Sequence, residues 1–239
     1  LTDLPLRHLD IDRNDLGGMP AVVYRLTGLT RLEASGIGAT TLSADIGALT
    51  ALERLELMDN GLTALPPEIG SLSALSHLDL EGNEITTLPA EIGRLAALER
   101  LNLESNGLTA LPDTIGGLTA LRHLSLHDNA VAALPAALWS LPLQELLLEG
   151  NRLTALPAEL GNLTALELLD VDRNRLTALP AEIGNLASLR QLEISGNQLT
   201  DLPPEIGSLA SLQRLEAQNN QLEELPDTLA ALQALEWLL

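Results

Sequence analysis

The feature that most constrains this chain is a 23-residue pattern that repeats along almost its whole length. One copy, residues 52–72, reads L-x-x-L-x-L-x-x-N-x-L-x-x-L-P-x-E-I-G-x-L. Self-similarity at a fixed period of this size is typical of a solenoid, in which each repeat is one supersecondary unit. The asparagine of the pattern recurs, with one shortened step before the fifth member, at Asn60, Asn83, Asn106, Asn129, Asn151, Asn174, Asn197 and Asn220.

Each repeat contains a short strand. Leu55 and Leu57 alternate with polar residues, which places Arg54, Glu56 and Met58 on the opposite face of the strand. A strand this short cannot bury its leucines alone, so the repeats must stack on one another. The pattern therefore predicts a parallel sheet to which every repeat adds one strand.

The rest of the repeat predicts a turn and a return path. Asn60 follows the strand, where its amide can pair with backbone groups that would otherwise be buried and unpaired, so stacked asparagines should form a ladder. Along the outer side, Pro suits the start of a helical turn, Glu68 its positive end, and Gly70 its termination. Strands lie about 4.8 Å apart and the outer turns need more room, so the stack should curve with the sheet inside.

The consensus resembles the 23-residue class of leucine-rich repeats over essentially the whole chain. The resemblance implies an α/β solenoid with a curved parallel β-sheet on the concave face and short helical or irregular turns on the convex face. Similar arrays occur in cytosolic scaffold proteins, in bacterial effectors delivered into host cells, and beside GTPase domains. In such families the repeats recognise a protein through the concave face, and any chemistry belongs to another domain.

Departures from the pattern mark irregular places in one predicted domain, 1–239, of about ten repeats. In the degenerate second repeat Ile37 replaces the asparagine, so one rung of the ladder should be missing and the turn remodelled. The seventh repeat is one residue shorter around Trp139, which we expect to be buried in an altered outer turn. An eleventh strand starts within residues 235–239, and with no initiator Met or polar cap we expect a fragment of a longer chain.

Composition narrows the class of partner. The formal net charge of −20 argues against binding of nucleic acid or anionic membrane, and it favours a basic protein partner or simply solubility. No apolar run approaches the ~18 residues of a membrane span. The absence of Cys excludes disulfides and cysteine chemistry. We expect a bacterial monomer that works in the cytoplasm, or in a host-cell cytoplasm if it is an effector.

Charged columns should cross the concave face. Positions three, five, seven and eight of each L-x-x-L-x-L-x-x-N block should face outwards, and in the first six repeats basic residues at position three lie beside mainly acidic ones at position five. This arrangement is either a ladder of salt bridges or a docking face, and the two interpretations are compatible. The predicted partner-binding residues are Arg54, Glu56, Met58, His77, Asp79, Arg100, Glu104, His123, His127, Glu145, Leu147, Glu149, Leu168, Asp170, Asp172 and Glu193.

Two local features stand out in these columns. Leu147 and Leu168 are apolar where their equivalents are polar, and exposed apolar residues within a polar rim are typical of a binding hot spot. His127 lies between Glu104 and Glu149 on three successive strands, so its proton should be held more tightly than usual.

No catalytic residue, cofactor or metal site is predicted. Residues 10–14 and 170–174 read D-x-D-x-N like the start of a calcium loop, but they lack the Gly at the sixth place and the Glu at the twelfth. Their aspartates are better explained as concave strand residues, although a weak cation site among Glu149, Asp170 and Asp172 stays open.

The sequence therefore predicts a non-enzymatic module that binds a protein partner on its concave face. One alternative is the substrate-recognition domain of a secreted bacterial effector enzyme, for example a ubiquitin ligase, with its catalytic domain outside this chain. Another is a purely structural repeat protein.

Overall fold

A computed structural model describes residues 5–239, so residues 1–4 of the predicted domain lie outside the described part. The strands are β1 His8–Asp10, β2 Arg31–Glu33, β3 Arg54–Glu56, β4 His77–Asp79, β5 Arg100–Asn102, β6 His123–Ser125, β7 Glu145–Leu147, β8 Leu168–Asp170, β9 Gln191–Glu193, β10 Arg214–Glu216 and β11 Trp237–Leu238. The 3-10 helices are η1 Val23–Arg25, η2 Ala44–Ala48, η3 Pro67–Ser71, η4 Ala90–Arg94, η5 Asp113–Gly117, η6 Ala136–Ser140, η7 Ala158–Asn162, η8 Ala181–Asn185, η9 Pro204–Ser208 and η10 Asp227–Ala231.

All eleven strands lie in one sheet, in the order in which they occur in the sequence. Each strand pairs in parallel with the next at the same register, for example Leu55 opposite Leu78 and Leu78 opposite Leu101. The 3-10 helices return along the other side of the stack. This architecture confirms the predicted α/β leucine-rich-repeat solenoid with its parallel sheet on the concave face.

The core is a continuous aliphatic layer between the sheet and the 3-10 helices. In the third repeat Leu55 and Leu57 from the strand side and Ile69 from η3 are all fully buried. Equivalent leucines and isoleucines fill the same places in the neighbouring repeats, so each repeat buries its apolar side chains only by stacking.

The predicted asparagine ladder is present. Asn83 Nδ2 donates to the carbonyl oxygens of Leu80 and Leu57, each at 2.9 Å, and its Oδ1 accepts from the Leu62 N–H at 3.0 Å. Since Leu57 and Leu62 belong to the preceding repeat, one buried side chain satisfies polar groups in two repeats.

The second repeat confirms the remodelled turn. Ile37, which replaces the asparagine, is fully buried, so its apolar side chain joins the core instead of the ladder. Because Ile37 offers no side-chain oxygen to the preceding repeat, the Leu16 N–H donates instead to the Asn14 carbonyl at 2.9 Å. The next rung, Asn60, accepts from the N–H groups of both Ile37 and Ala39.

One prediction about the outer turns is wrong. Each regular 3-10 helix begins after a proline and carries an acidic residue in its first turn, as η3 does after Pro66 with Glu68. Gly70, however, lies inside η3 and does not terminate it. A Cβ on Gly70 would lie 2.5 Å from the Glu91 carbonyl oxygen, so glycine is needed because the next repeat approaches its backbone closely.

The seventh repeat changes as predicted. Trp139 is 2% exposed and joins the core. Leu141, the residue that follows η6, has extended backbone with ψ 150°, whereas Leu118, which follows η5, has ψ 60°. The large indole therefore fills the space where the shortened repeat leaves the regular path.

Candidate functional site

The outward-facing residues of the strands form the candidate surface. In β3, Arg54 and Glu56 flank the buried Leu55 and point away from the core. Because successive strands pair in register, the residues at one position form columns across the sheet, such as Arg54, His77 and Arg100.

On part of this surface, neighbouring basic and acidic side chains form ion pairs with each other. Arg54 Nε lies 2.5 Å from Glu56 Oε1 within the same strand, an ion pair of the kind that the predicted salt-bridge ladder would contain. Exposed pairs of this kind contribute about 0–1 kcal/mol each. The strands with such a pair are β2 (Arg31 with Glu33), β3 (Arg54 with Glu56) and β10 (Arg214 with Glu216).

A shallow groove of about 370 Å³ crosses the concave face from β3 to β7. It brings together half of the predicted partner-binding residues. These are Arg54, Glu56, His77, Asp79, Arg100, His123, Glu145 and Leu147. The others, Met58, Glu104, His127, Glu149, Leu168, Asp170, Asp172 and Glu193, do not line the groove.

Some basic side chains of the groove have a polar or charged partner, and Arg100 has no ion-pair partner within residues 5–239. His123 Nδ1 lies 2.7 Å from Glu145 Oε2, and His77 Nδ1 lies 2.8 Å from Ser76 Oγ. Arg100 is exposed and forms no ion pair with any of residues 5–239. Burial, together with the positive charges of Arg54 and Arg100, lowers the pKa of His77.

The acidic side of the groove is partly desolvated. Burial raises the pKa of Asp79, although the Glu81 N–H donates to Asp79 Oδ1 at 3.1 Å and opposes the shift. Outside the groove, burial and the neighbouring Glu81 raise the pKa of Glu104 as well. Both carboxyls therefore take up protons more readily than free ones.

His127 confirms its predicted shift, but through a different neighbour. Its Nε2 lies 3.1 Å from Asp170 Oδ2 without hydrogen-bond geometry, and its Nδ1 lies 4.0 Å from Glu149. Burial lowers the pKa of His127, but the carboxylates of Asp170, Glu104 and Glu149 together raise it above the usual value. The sequence identified Glu104 and Glu149, the two neighbours that raise the pKa of His127 less. It missed Asp170, which lies on β8, two strands along the sheet from β6.

Beyond His127 lies what we call the acidic cluster, consisting of Glu149, Asp170, Asp172 and Glu193. Burial and the other three carboxylates raise the pKa of Asp172 to about 7, although the Ser195 N–H donates to its Oδ1 at 2.5 Å. Burial and Asp170 also raise the pKa of Glu193. Asp170 itself is only 5% exposed, so this predicted contact residue lies mostly beneath the surface.

The two leucines of the predicted hot spot are less exposed than expected. Leu147 and Leu168 are half-buried, and both lie beside polar residues of the neighbouring strands in the sheet register. Met58 is half-buried too. The largest exposed apolar side chains lie outside the groove, at Leu16, Leu225, Trp237, Leu238 and Leu239.

The aspartates of the two calcium-like segments hold the backbone. Asp10 Oδ1 accepts from the Asp12 N–H at 3.0 Å, and Asp170 Oδ1 accepts from the Asp172 N–H at 2.9 Å. Possible ligand atoms of His127, Glu149 and Asp170 do lie within 4.8 Å of one another, as do those of Asp170, Asp172 and Glu193. The local hydrogen bonds explain these aspartates without a cation.

Sequence reasoning missed Arg173. This residue precedes the ladder asparagine of its repeat, and its guanidinium contacts Glu149 at 2.8 Å and Asp128 at 3.2 Å. Its backbone is left-handed, with a φ of 51°, and its side chain extends over the ends of the two preceding strands. The signal available in the sequence was an arginine at a position that most other repeats fill with Gly, Asp or Ser, the exceptions being Arg13 and Asn219.

With the fold and surface described, comparison with known families identifies the class. Models described as leucine-rich repeat region, leucine rich repeat, and leucine rich repeats in two copies match residues 44–138, 142–199 and 187–231. The chain belongs to the leucine-rich repeat family, whose fold is a typical protein–protein interaction module.

Solved structures of similar proteins come from bacteria and plants. A leucine-rich repeat protein of Leptospira interrogans is 38% identical, with a TM-score of 0.89, over 97% of this chain and 60% of that one. A TDR receptor is 30% identical, with a TM-score of 0.88, over 98% of this chain and 42% of that one. The plant peptide hormone receptor RGFR1, solved in complex with RGF2, is 28% identical, with a TM-score of 0.87, over 98% and 39%.

This chain thus spans about 60% of the length of the bacterial protein and about two fifths of the length of each of the two receptors. The bacterial relative agrees with the origin that the composition favours. A comparison with curated protein sequences gave no match. Within residues 5–239, no helix has the length and hydropathy needed to cross a membrane.

Proposed function

We propose that this chain is a protein-binding module that takes its partner on the concave face and has no catalytic activity of its own. The main observation behind the proposal is that, along each strand, one residue packs in the core and its two neighbours form the outer surface. Leu55 and its equivalents in β2 to β10 are buried, while the flanking positions vary from repeat to repeat and face outwards. A surface whose shape is constant and whose side chains vary is suited to recognising one particular partner.

Two further observations support the proposal. The groove from β3 to β7 offers charged, polar and apolar side chains within one continuous surface, as interfaces do. RGFR1, a similar structure, was solved with a peptide hormone, RGF2. We extend to this chain only the use of the solenoid as a binding scaffold, with a monomer in a cytoplasmic compartment as the working form.

A capture experiment tests this function. Immobilised protein is incubated with bacterial and host-cell lysates, and retained proteins are identified by mass spectrometry. An Arg100→Glu, Glu145→Arg variant changes the groove, and an Arg94→Glu, Glu205→Arg variant changes exposed residues on the helix side as the matched control. Circular dichroism first establishes that both variants are folded.

A partner retained by the wild type and the control but lost by the groove variant is the expected result. Equal retention by all three proteins would place the binding surface elsewhere on the solenoid. Retention of nothing by the wild type would favour the purely structural alternative, which assigns the repeats no partner.

A further inference from the structure

The charges on the concave face cancel within strands at both ends of the sheet but not in its middle. The regular arrangement pairs an arginine at position three with a glutamate at position five, as in β2, β3 and β10. In β5 the arginine is present, but its partner position holds Asn102. In β8 and β9 the carboxylates of Asp170 and Glu193 are present, but Leu168 and Gln191 replace the arginine.

The acidic cluster contains more carboxylates than it has positively charged partners. Within residues 5–239, Arg173 lies 2.8 Å from Glu149 and His127 lies 3.1 Å from Asp170. Neither Asp172 nor Glu193 forms an ion pair in this part of the chain. These two half-buried carboxylates therefore have no cationic partner of their own, and a positive charge placed over them would favour their ionised forms.

Arg100 shows the opposite situation on β5. Its neighbours in the position-three column are His77 and His123, and His123 is already occupied by Glu145 at 2.7 Å. Asp79 lies on the adjacent strand but forms no ion pair with Arg100. The exposed guanidinium keeps its five donors free for a ligand.

The pKa shifts of nearby groups agree with a positive potential around Arg100 and a negative potential around the acidic cluster. After burial, the positive charges of Arg54 and Arg100 are the causes that lower the pKa of His77. After burial, carboxylates are the main causes that raise the pKa of Asp172 and of Glu193.

Neutral side chains separate the two charged ends. From β5 towards β8 the position-five column reads Asn102, Ser125 and Leu147. Strand spacing of about 4.8 Å and a rise of about 3.3 Å per residue put Arg100 about 20 Å from Asp172 and Glu193. An extended peptide spans that distance with about six residues.

We propose that the concave face between β5 and β9 binds an extended segment of a partner protein that carries an acidic side chain over Arg100 and a basic side chain, about six residues away, over Asp172 and Glu193. The proposal rests on the protein-binding function and specifies the chemistry of the partner. A basic side chain fits the acidic cluster better than a bare metal ion, because Asp170 is buried and its Oδ1 already accepts from the Asp172 N–H. The half-buried Leu147 supplies an apolar contact for the peptide between the two charges.

A random-peptide display selection on the purified wild-type protein tests this inference. Enriched peptides are synthesised, and their affinities are measured by fluorescence anisotropy for the wild type, Arg100→Glu, and Asp172→Asn with Glu193→Gln. Arg94→Glu and Glu205→Gln, on the helix side, are the matched controls.

Enriched peptides should contain an acidic and a basic residue about six positions apart. Each concave variant should weaken their binding about tenfold or more, while the controls leave it unchanged. On the unaltered protein, moving the two peptide charges together by three residues should weaken binding similarly. Replacing the peptide's acidic residue by Lys should restore its affinity for Arg100→Glu, which a misfolded variant could not show.

Peptides without this charge pattern, or peptides that bind all variants equally, would overturn the inference and leave the protein-binding function intact. So would a selection that enriches no peptide while the capture experiment still yields a partner. Calorimetry with Ca²⁺ and Zn²⁺ alone provides a further arm, in which binding lost in the Asp172→Asn, Glu193→Gln variant would assign the cluster to a metal. Failure of the capture experiment itself would instead contradict the proposed function.

Discussion

At the scale of single residues, the ladder asparagines show how one side chain links two repeats. Asn83 is 7% exposed, and its amide satisfies carbonyl groups of its own repeat and of the preceding one. Asn14, near the start of the ladder, is exposed and bonds only to carbonyl groups of its own turn. The same residue type therefore contributes differently according to its place in the stack.

Replacement of Asn83 by Ala should lower the free energy of unfolding by about 2–4 kcal/mol, because several buried backbone groups lose their partners. Asn14→Ala should cost about 1 kcal/mol or less, since water can replace the lost bonds. Urea denaturation of both variants measures the difference. Equal losses would show that the ladder bonds are not made in the folded protein.

The residue before each ladder asparagine has left-handed backbone. Ser105 has a φ of 53°, whereas Gly82 and Gly196 occupy the same position in other repeats. Left-handed backbone costs a residue with a Cβ about 1–2 kcal/mol, and the greater freedom of unfolded glycine offsets about 0.5–1 kcal/mol of any gain. Ser105→Gly should therefore raise the free energy of unfolding by about 0.5–1 kcal/mol. Ser105→Ala, which keeps the Cβ, should give no such increase in urea denaturation.

Asp172 should make stability depend on pH. Burial and the neighbouring carboxylates raise the pKa of Asp172 from 3.8 to about 7 in the folded state. The folded protein then binds this proton more tightly than the unfolded chain, so stability falls as pH rises between these values. Asp172→Asn keeps an acceptor for the Ser195 N–H and cannot ionise.

Relative to the wild type, Asp172→Asn should therefore gain about 1 kcal/mol or more between about pH 4 and pH 8, after allowance for solvent screening. Thermal denaturation at several pH values measures the gain. Asp201→Asn changes an exposed carboxylate and serves as the control. A difference that does not vary with pH would contradict the raised pKa.

At the scale of elements, the 3-10 helices depend on close approach between repeats. A Cβ at Gly184 would lie 2.6 Å from the Glu205 carbonyl oxygen of the next repeat. Gly61, in the turn after β3, leaves 3.4 Å to the nearest side-chain carbon, on Thr40. Glycine is thus required where two 3-10 helices pack and is less restricted in the turn.

Gly184→Ala should destabilise the protein by about 1–3 kcal/mol, because the added methyl forces the neighbouring backbone apart. Gly61→Ala, whose Cβ meets only ordinary contacts and whose φ is not left-handed, is the matched control and should change stability little. The midpoints of urea denaturation compare the two. A similar effect of both substitutions would contradict the packing argument.

At the scale of the whole molecule, the sheet and core of each repeat pack on the adjacent repeats, so stability should vary along the solenoid. The turn after β2 lacks a rung of the ladder, because Ile37 replaces the asparagine, and β11 exposes Trp237 and Leu238. Strands β4 to β8 have complete repeats on both sides.

Amide hydrogen exchange should therefore be slowest in β4 to β8 and faster in β1 and β11, because the ends can open without disturbing the middle. Mass spectrometry of proteolytic fragments after exchange measures this profile. Uniform protection along the chain would indicate that the solenoid unfolds as a single unit.

The fold class, the register of the sheet and the identity of the core residues follow from the repeat pattern. They do so because a fixed period places equivalent residues such as Leu55 and Leu78 in equivalent environments. Sequence reasoning also anticipated the buried Trp139 and the remodelled turn at Ile37, since both break the period. The identity of a partner lies outside what such a repeat encodes, because the period constrains the buried positions and leaves the outward-facing ones free.

The tertiary structure alone decided how the outward-facing charges pair. Spacing placed His127 between Glu104 and Glu149, but its nearest carboxylate is that of Asp170, and Arg173 reaches Glu149 from a left-handed turn. Those contacts depend on side-chain direction and on distances between repeats. A one-dimensional period fixes which residues share a column, whereas charge neutralisation, burial and pKa depend on how neighbouring columns meet in three dimensions.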